Sequence, residues 1–180
     1  MINNQAIGVF DSGLGGLTVL QALEKKLPNE SFIYFGDTAH VPYGSKSEKT
    51  IQNYSNQITQ FLLKHNVKLI VIACNTASSV ATNILREKFD VPIFEVVGPS
   101  VEDAIAHYEN GRIGIIGTQS TITSNSYVKK FNNLAPHIKI KQQSCPLFVP
   151  LIEENWNNTK IAKDVAKIYT ALSKNKGTKR

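Results

Sequence analysis

The stretch "LIVIACNTASSVA" (Leu69–Ala81) decides how the chain folds. Its first half is an uninterrupted aliphatic run, the pattern of a strand buried on both faces. Its second half is a polar, helix-starting run, and Cys74 stands at the junction. A strand passing directly into a helix is the repeating step of α/β folds.

The same step recurs outward in both directions. "AIGVF" ends in the turn "DSGLGG", and "SFIYF" ends in "GDTAHVPYG". "VPIFEVV" ends in "GPS", and "RIGIIG" ends in "TQST". Between these runs lie segments of helical period. Ile51, Tyr54, Ile58, Phe61 and Leu62 share one face, as do Ile161, Val165, Ile168 and Leu172. The fold class predicted is α/β with parallel sheets covered on both faces. "IGVFDSGLGGLTVL" and "IGIIGTQSTITSNSYV" both read as strand, small polar loop and helix. They predict two pseudo-equivalent units, residues 1–97 and 98–173, with a break near Val97 to Ser100 and a cleft between them. A basic disordered tail is expected over 174–180.

Composition bounds the function. The chain has 180 residues, 42% hydrophobic and 19% charged, enough for a sizeable core. The formal charge is +6, but "KNKGTKR" at the C-terminus carries four positive and no negative residues, which leaves +2 for the body. That distribution argues against a nucleic-acid partner. No apolar run reaches the ~20 residues of a membrane span, and no signal peptide is evident, so a cytoplasmic location is expected. Cys74 and Cys145 are the two cysteines and form no disulfide framework. Neither C-x-x-C nor H-x-x-x-H occurs, so no metal site is expected.

In parallel α/β sheets, ligands bind beyond the carboxyl ends of the strands. Every polar cluster quoted above falls at such an end. "DSGLGG" fits neither common phosphate-loop spacing, and Asp11 would repel a phosphate. Asp11 is read either as a cap of a tight turn or as an orienting carboxylate, with Ser12 donating to a small polar ligand. "GDTAHVPYGSKS" is expected to form a pocket wall, stiffened by Pro42 and opened by Gly44. Cys74 is expected at a helix N-terminus whose dipole favours thiolate, with donors from Asn75 and Thr76 beside it. A small buried cysteine closing a strand is the alternative. Cys145, followed by Pro146 and Leu147, is expected to pack, and either Glu153 or Glu154 is expected to face inward.

Taken together, "IGVFDSGLGGLTVL", "YFGDTAHVPYGSKS", "VIACNTAS" and "SCPLFVPLIEE" resemble the glutamate racemases, in that family's order and spacing. The resemblance runs from Ile7 to the helix ending near Ser173. It implies an isomerase without a cofactor that interconverts L- and D-glutamate and supplies D-glutamate for peptidoglycan. It implies two cysteines on opposite faces of the substrate's α-carbon, one removing a proton and the other returning one. Cys74 would be one of them, with Asp11 and Glu153 assisting the transfers. Substrate contacts implied are Asp11, Ser12, Tyr43, Gly44, Asn75, Thr76, Thr118 and Thr121.

The family's second cysteine lies in a Gly-Cys-Thr-His motif on the strand after the helix that ends here, and these 180 residues contain no such motif. Cys145 matches a different, non-catalytic position. The expectation is a chain truncated before that motif, its second unit incomplete, its activity in question and its solubility poor. Glutamate is the expected partner, with a homodimer left open. Two further readings stay open: an inactive racemase remnant, and an α/β module that binds a small anion.

Overall fold

A computed structural model describes residues 4–175. Six strands and eight helices alternate along them: β1 (Ile7–Asp11), α1 (Leu17–Lys26), β2 (Phe32–Gly36), α2 (Glu48–Lys64), β3 (Leu69–Ile72), α3 (Asn75–Lys88), β4 (Ile93–Glu95) and α4 (Val97–Ala106). Then follow β5 (Arg112–Gly117), α5 (Gln119–Ser124), α6 (Ser126–Leu134), β6 (Lys139–Ser144), α7 (Phe148–Glu153) and α8 (Lys160–Asn175). A single 3-10 turn, Tyr43–Ser45, precedes α2.

The strands form two parallel sheets, one of four strands in the order β2-β1-β3-β4 and one pairing β5 with β6. The first sheet explains where a site must lie. From β1 the chain crosses to β2 on one side, then returns to place β3 on the other. The strand order therefore reverses between β1 and β3, the crevice where open α/β sheets take ligands. Ser12 follows β1, and Cys74 follows β3.

Local chemistry sets the helix ends. The Ser47 side chain accepts from the Thr50 N–H at the start of α2, with Glu48 in the first turn and Lys64 in the last. Asn66, at φ 57, turns the chain out of α2 in a left-handed conformation that asparagine tolerates. Glu95 folds its carboxylate back onto the N–H groups of Val97 and Gly98. "GPS" therefore lies within the first turn of α4, and the expected break between units is a helix start.

The first core joins Phe10, Ile51, Ile58, Leu62, Ile70, Ile72 and Leu85 on one face of the four-stranded sheet. Val9 and Val71 pack with α1 on the other face. A third cluster, around Val101, Ile115 and Phe131, supports the two-stranded sheet. Two apolar helix faces are only partly covered. Phe61 is 43% exposed, because it packs at the sheet margin against Phe35 and His65 rather than below α2. Ile161 and Ile168 are also exposed, since in the described structure nothing covers that face of α8. Leu172 lies outside the described side chains. Helix α8 continues through Asn175, so the tail expected from 174 begins inside a helix, and residues 176–180 lie outside the described region. No helix among the described residues is long and apolar enough to cross a membrane.

Candidate active site

Cys74 ends β3 and caps α3, and its residue is only 4% exposed. The thiol donates to Ser12 Oγ at 3.4 Å, and the Ala77 N–H donates to Sγ at 3.4 Å. The two strand ends beside the crevice are thus joined by one sulfur–hydroxyl contact. The expected low thiol pKa is not what the site produces. Burial, and after it the Asp11 carboxylate, push the Cys74 thiol up, and the donors from Ser12 and Ala77 offset this only in part. Cys74 rests as a thiol.

Asp11 takes the first of the two roles read from the sequence, the cap of a tight turn. Its Oδ2 accepts from the N–H groups of Gly13 and Gly16, at 3.1 and 3.0 Å, so it caps the DSGLGG turn from within. The same carboxylate is close enough to raise the Cys74 thiol. Gly16 is required here, because a Cβ would stand 2.5 Å from the Asp11 Cβ and 3.0 Å from that of Ala73. With Asp11 holding these N–H groups, the turn is a poor cradle for an external anion. Tyr34, which the sequence did not single out, steadies the turn by donating to Gly13 O at 2.9 Å.

Thr76, Thr118 and Thr121 converge from α3 and from the end of β5. Their hydroxyls lie 3.0 Å apart for Thr76–Thr118 and for Thr118–Thr121, and 3.4 Å for Thr121–Thr76. This cluster joins the two sheets' loops. Gly44 belongs to the same seam, where a Cβ would meet the Thr118 side chain at 2.4 Å. Ser120 locks it further by donating to the carbonyls of Gly44 and Lys46, each at 3.0 Å.

Tyr43 is fully buried, and its hydroxyl donates to Asp37 Oδ2 at 2.6 Å. Asn75 is exposed at the first turn of α3, and Tyr127 donates to its Oδ1 at 2.5 Å. Glu153 is also exposed and does not point into the core. Its carboxylate nonetheless overhangs the DSGLGG turn, with Oε1 3.1 Å from where a Gly13 Cβ would be. Partial burial, then Asp11 and Glu154, push its pKa up. Cys145 is buried, and its thiol donates to Gln143 O at 3.6 Å. It also lines a cavity of about 310 Å³ with Asn75, Gly117, Thr118, Thr121 and Tyr127.

The structure therefore brings Asp11, Ser12 and Cys74 to one crevice, and gathers Gly44, Thr76, Thr118 and Thr121 at the adjoining seam. Tyr43 stands behind that seam, Asn75 stands at its rim, and Glu153 overhangs the DSGLGG turn. Ser120 and Tyr127 escaped sequence reading, because each acts through a partner distant in the chain, and Asp37 did because its partners His40 and Tyr43 meet it only once the loop after β2 has folded.

Residues 7–179 match the profile of the Asp/Glu/Hydantoin racemases. The chain belongs to this family. It is similar to the glutamate racemase of Geobacter metallireducens, 47% identical over 165 residues, 92% of this chain and 61% of that one. With the glutamate racemase of Neisseria meningitidis serogroup B it shares 50% identity over 151 residues, 83% of this chain and 56% of that one. Among solved structures, the glutamate racemase of Francisella tularensis in complex with D-glutamate superposes with TM-score 0.88 at 41% identity, covering 97% of this chain and 65% of that one. Aspartate racemase of Picrophilus torridus, at 17% identity and TM-score 0.58, shares the fold. The chain spans about three fifths of the length of the curated family members it matches.

Proposed function

We propose that this chain binds glutamate between the turns after β1 and β3, and that Cys74 exchanges the α-proton as one half of a cofactor-independent racemisation. The carrying observation is the contact between Cys74 Sγ and Ser12 Oγ across the switch point, with Asp11 directly behind. Ser12 and the threonine seam supply donors for the ligand's carboxylates, and Asp11 supplies a countercharge for its ammonium group. That ammonium also settles the thiol. A positive charge beside Cys74 and Asp11 offsets the carboxylate's share of what holds the proton on sulfur, so the ligand itself promotes the thiolate. The thiolate then takes the α-proton, leaving a neutral thiol and a carbanion stabilised by the donors at its carboxylate.

Inversion needs a second acid on the opposite face, and the thiol of a Gly-Cys-Thr-His motif does not occur in these residues. Cys74 alone returns the proton to the face it came from. The overhang of Glu153 above the Gly13 turn, with its pKa pushed up, supports a role in relaying protons between solvent and the site. The location proposed is cytoplasmic, where both thiols stay reduced.

Incubation with each glutamate enantiomer in D2O, followed by proton NMR and circular dichroism, tests this reading. The expected result is loss of the α-proton signal from one enantiomer without change in rotation, abolished in Cys74→Ala. The rate should climb with pH above the ordinary thiol value of ~8.5, because the resting thiol is raised. No exchange from either enantiomer, together with no glutamate binding by calorimetry, would overturn the proposal.

A further inference from the structure

Asp37 is the most deeply placed carboxylate outside the residues already assigned, and the loop after β2 is organised around it. Burying an ionised carboxylate is costly unless its oxygens are satisfied by donors. Here both are. Oδ2 accepts from the Tyr43 hydroxyl at 2.6 Å, and Oδ1 lies 2.7 Å from His40 Nδ1. The His40 ring in turn stacks on Tyr54 of α2, with centroids 4.2 Å apart. The Asp37 backbone N–H donates to the carbonyl of Asp11 at 2.9 Å. One residue therefore ties the turn after β1 to the Tyr43–Gly44 turn.

The direction of the Tyr43 side chain matters as much as the bond. Its ring shares the first core with Phe10 and Cys74, while its hydroxyl is consumed by Asp37. What residues 43 and 44 can offer a ligand is consequently their backbone, not the phenol. That backbone is pressed against Thr118 on its other side and clipped there by Ser120. The turn is gripped from the front by the second sheet's loop and from behind by Asp37.

We infer that Asp37 is a positioning residue, which holds the Tyr43–Gly44 turn in register with Cys74 through the Tyr43 hydroxyl so that the turn can receive glutamate. This rests on the proposed glutamate site. A charged acceptor holding a phenol that guards a ligand turn should govern affinity rather than proton transfer, which depends on Cys74.

Titration calorimetry with glutamate and NMR exchange in D2O, on the whole chain, test the inference. Tyr43→Phe should raise the glutamate Kd about tenfold, the size expected for losing a hydrogen bond to a charged group, and Asp37→Asn, whose amide oxygen still accepts but carries no charge, should raise it by a smaller factor. In Asp37→Asn, exchange at saturating glutamate should stay within about twofold of the parent chain. In the double variant the two losses should fall short of multiplying, because both changes act on the Tyr43–Asp37 contact. Tyr43→Phe conserves shape, so it carries the test if Asp37→Asn does not melt cooperatively. Parent-level affinity in both variants would overturn the positioning role and leave the proposed function standing. Exchange lost at saturation with Kd unchanged would overturn it too, by placing Asp37 in proton transfer. Failure of the parent chain to bind or exchange glutamate would overturn both.

Discussion

The two sheets repeat the same step under different conditions. In the first, β1 lies between two neighbours and every one of its five residues is buried. In the second, β5 has one neighbour, β6, and only Ile115 along it is buried. Ile116 is 61% exposed, and Leu147, Ile152, Trp156, Ile161 and Ile168 are exposed around the same sheet and its last helices. An identical strand–turn–helix pattern thus yields a closed core when strands flank it on both sides, and an open apolar face when they do not. The division matters for chemistry. Cys74 and Asp11 sit on the closed sheet, whereas Thr118 and Thr121 reach the site from the open one.

The largest expected effect separates the two cores. Leu62 is fully buried beneath the first sheet, so Leu62→Ala should cost about 3 kcal/mol in urea unfolding, through lost burial and the cavity left behind. Ile116→Ala should cost less than about 0.5 kcal/mol, since an exposed side chain leaves no cavity. Similar losses at both positions would erase the distinction between closed and open sheets.

Gly44→Ala probes the seam where the sheets' loops meet. The added methyl would overlap the Thr118 side chain, which belongs to a hydroxyl cluster that cannot easily move. A loss of about 2 kcal/mol is expected, within the range for overpacking. Glutamate binding should weaken in the same variant, as measured by calorimetry. Unchanged stability would mean that the open sheet's loop yields freely and does not hold the site.

The sequence was most legible where the sheet is closed. β1, β2, β3 and β4 announce themselves as apolar runs ended by turns, as β5 does on the open sheet, and Asp11, Ser12 and Cys74 follow from the closed sheet's strand ends. β6 does not. "KIKQQS" carries a single aliphatic residue, Ile140, because a half-exposed strand has little need of others. Periodicity put Phe61 with Ile58 and Leu62, and Ile161 with Ile168, but a shared face says nothing about what covers it. The thiol's raised pKa was also illegible. The helix start was visible in the sequence, whereas burial and the nearby Asp11 are properties of the folded site.

The closed core has its own imperfection. Ser55 Oγ and Thr59 Oγ1, both fully buried on α2, find no hydrogen-bond partner among the described residues. Thr59→Val removes one such hydroxyl at nearly constant shape, and should stabilise the chain by about 1 kcal/mol in urea unfolding. Destabilisation would show that the hydroxyl finds water or a carbonyl in solution, and the first sheet would then be less dry than its packing implies.

The smallest effect on stability belongs to α8. Ile161→Lys and Ile168→Lys place charge on a face already open to water, so each should change unfolding free energy by no more than about 0.5 kcal/mol. The same substitutions should reduce concentration-dependent association in sedimentation velocity, because exposed apolar faces drive self-association while charge opposes it. The two readouts must therefore separate. If either lysine instead costs about 2 kcal/mol or more, that face is buried in the working protein. The second sheet would then be closed by what is packed against it, and the contrast with the first sheet would become one of partners rather than of sequence.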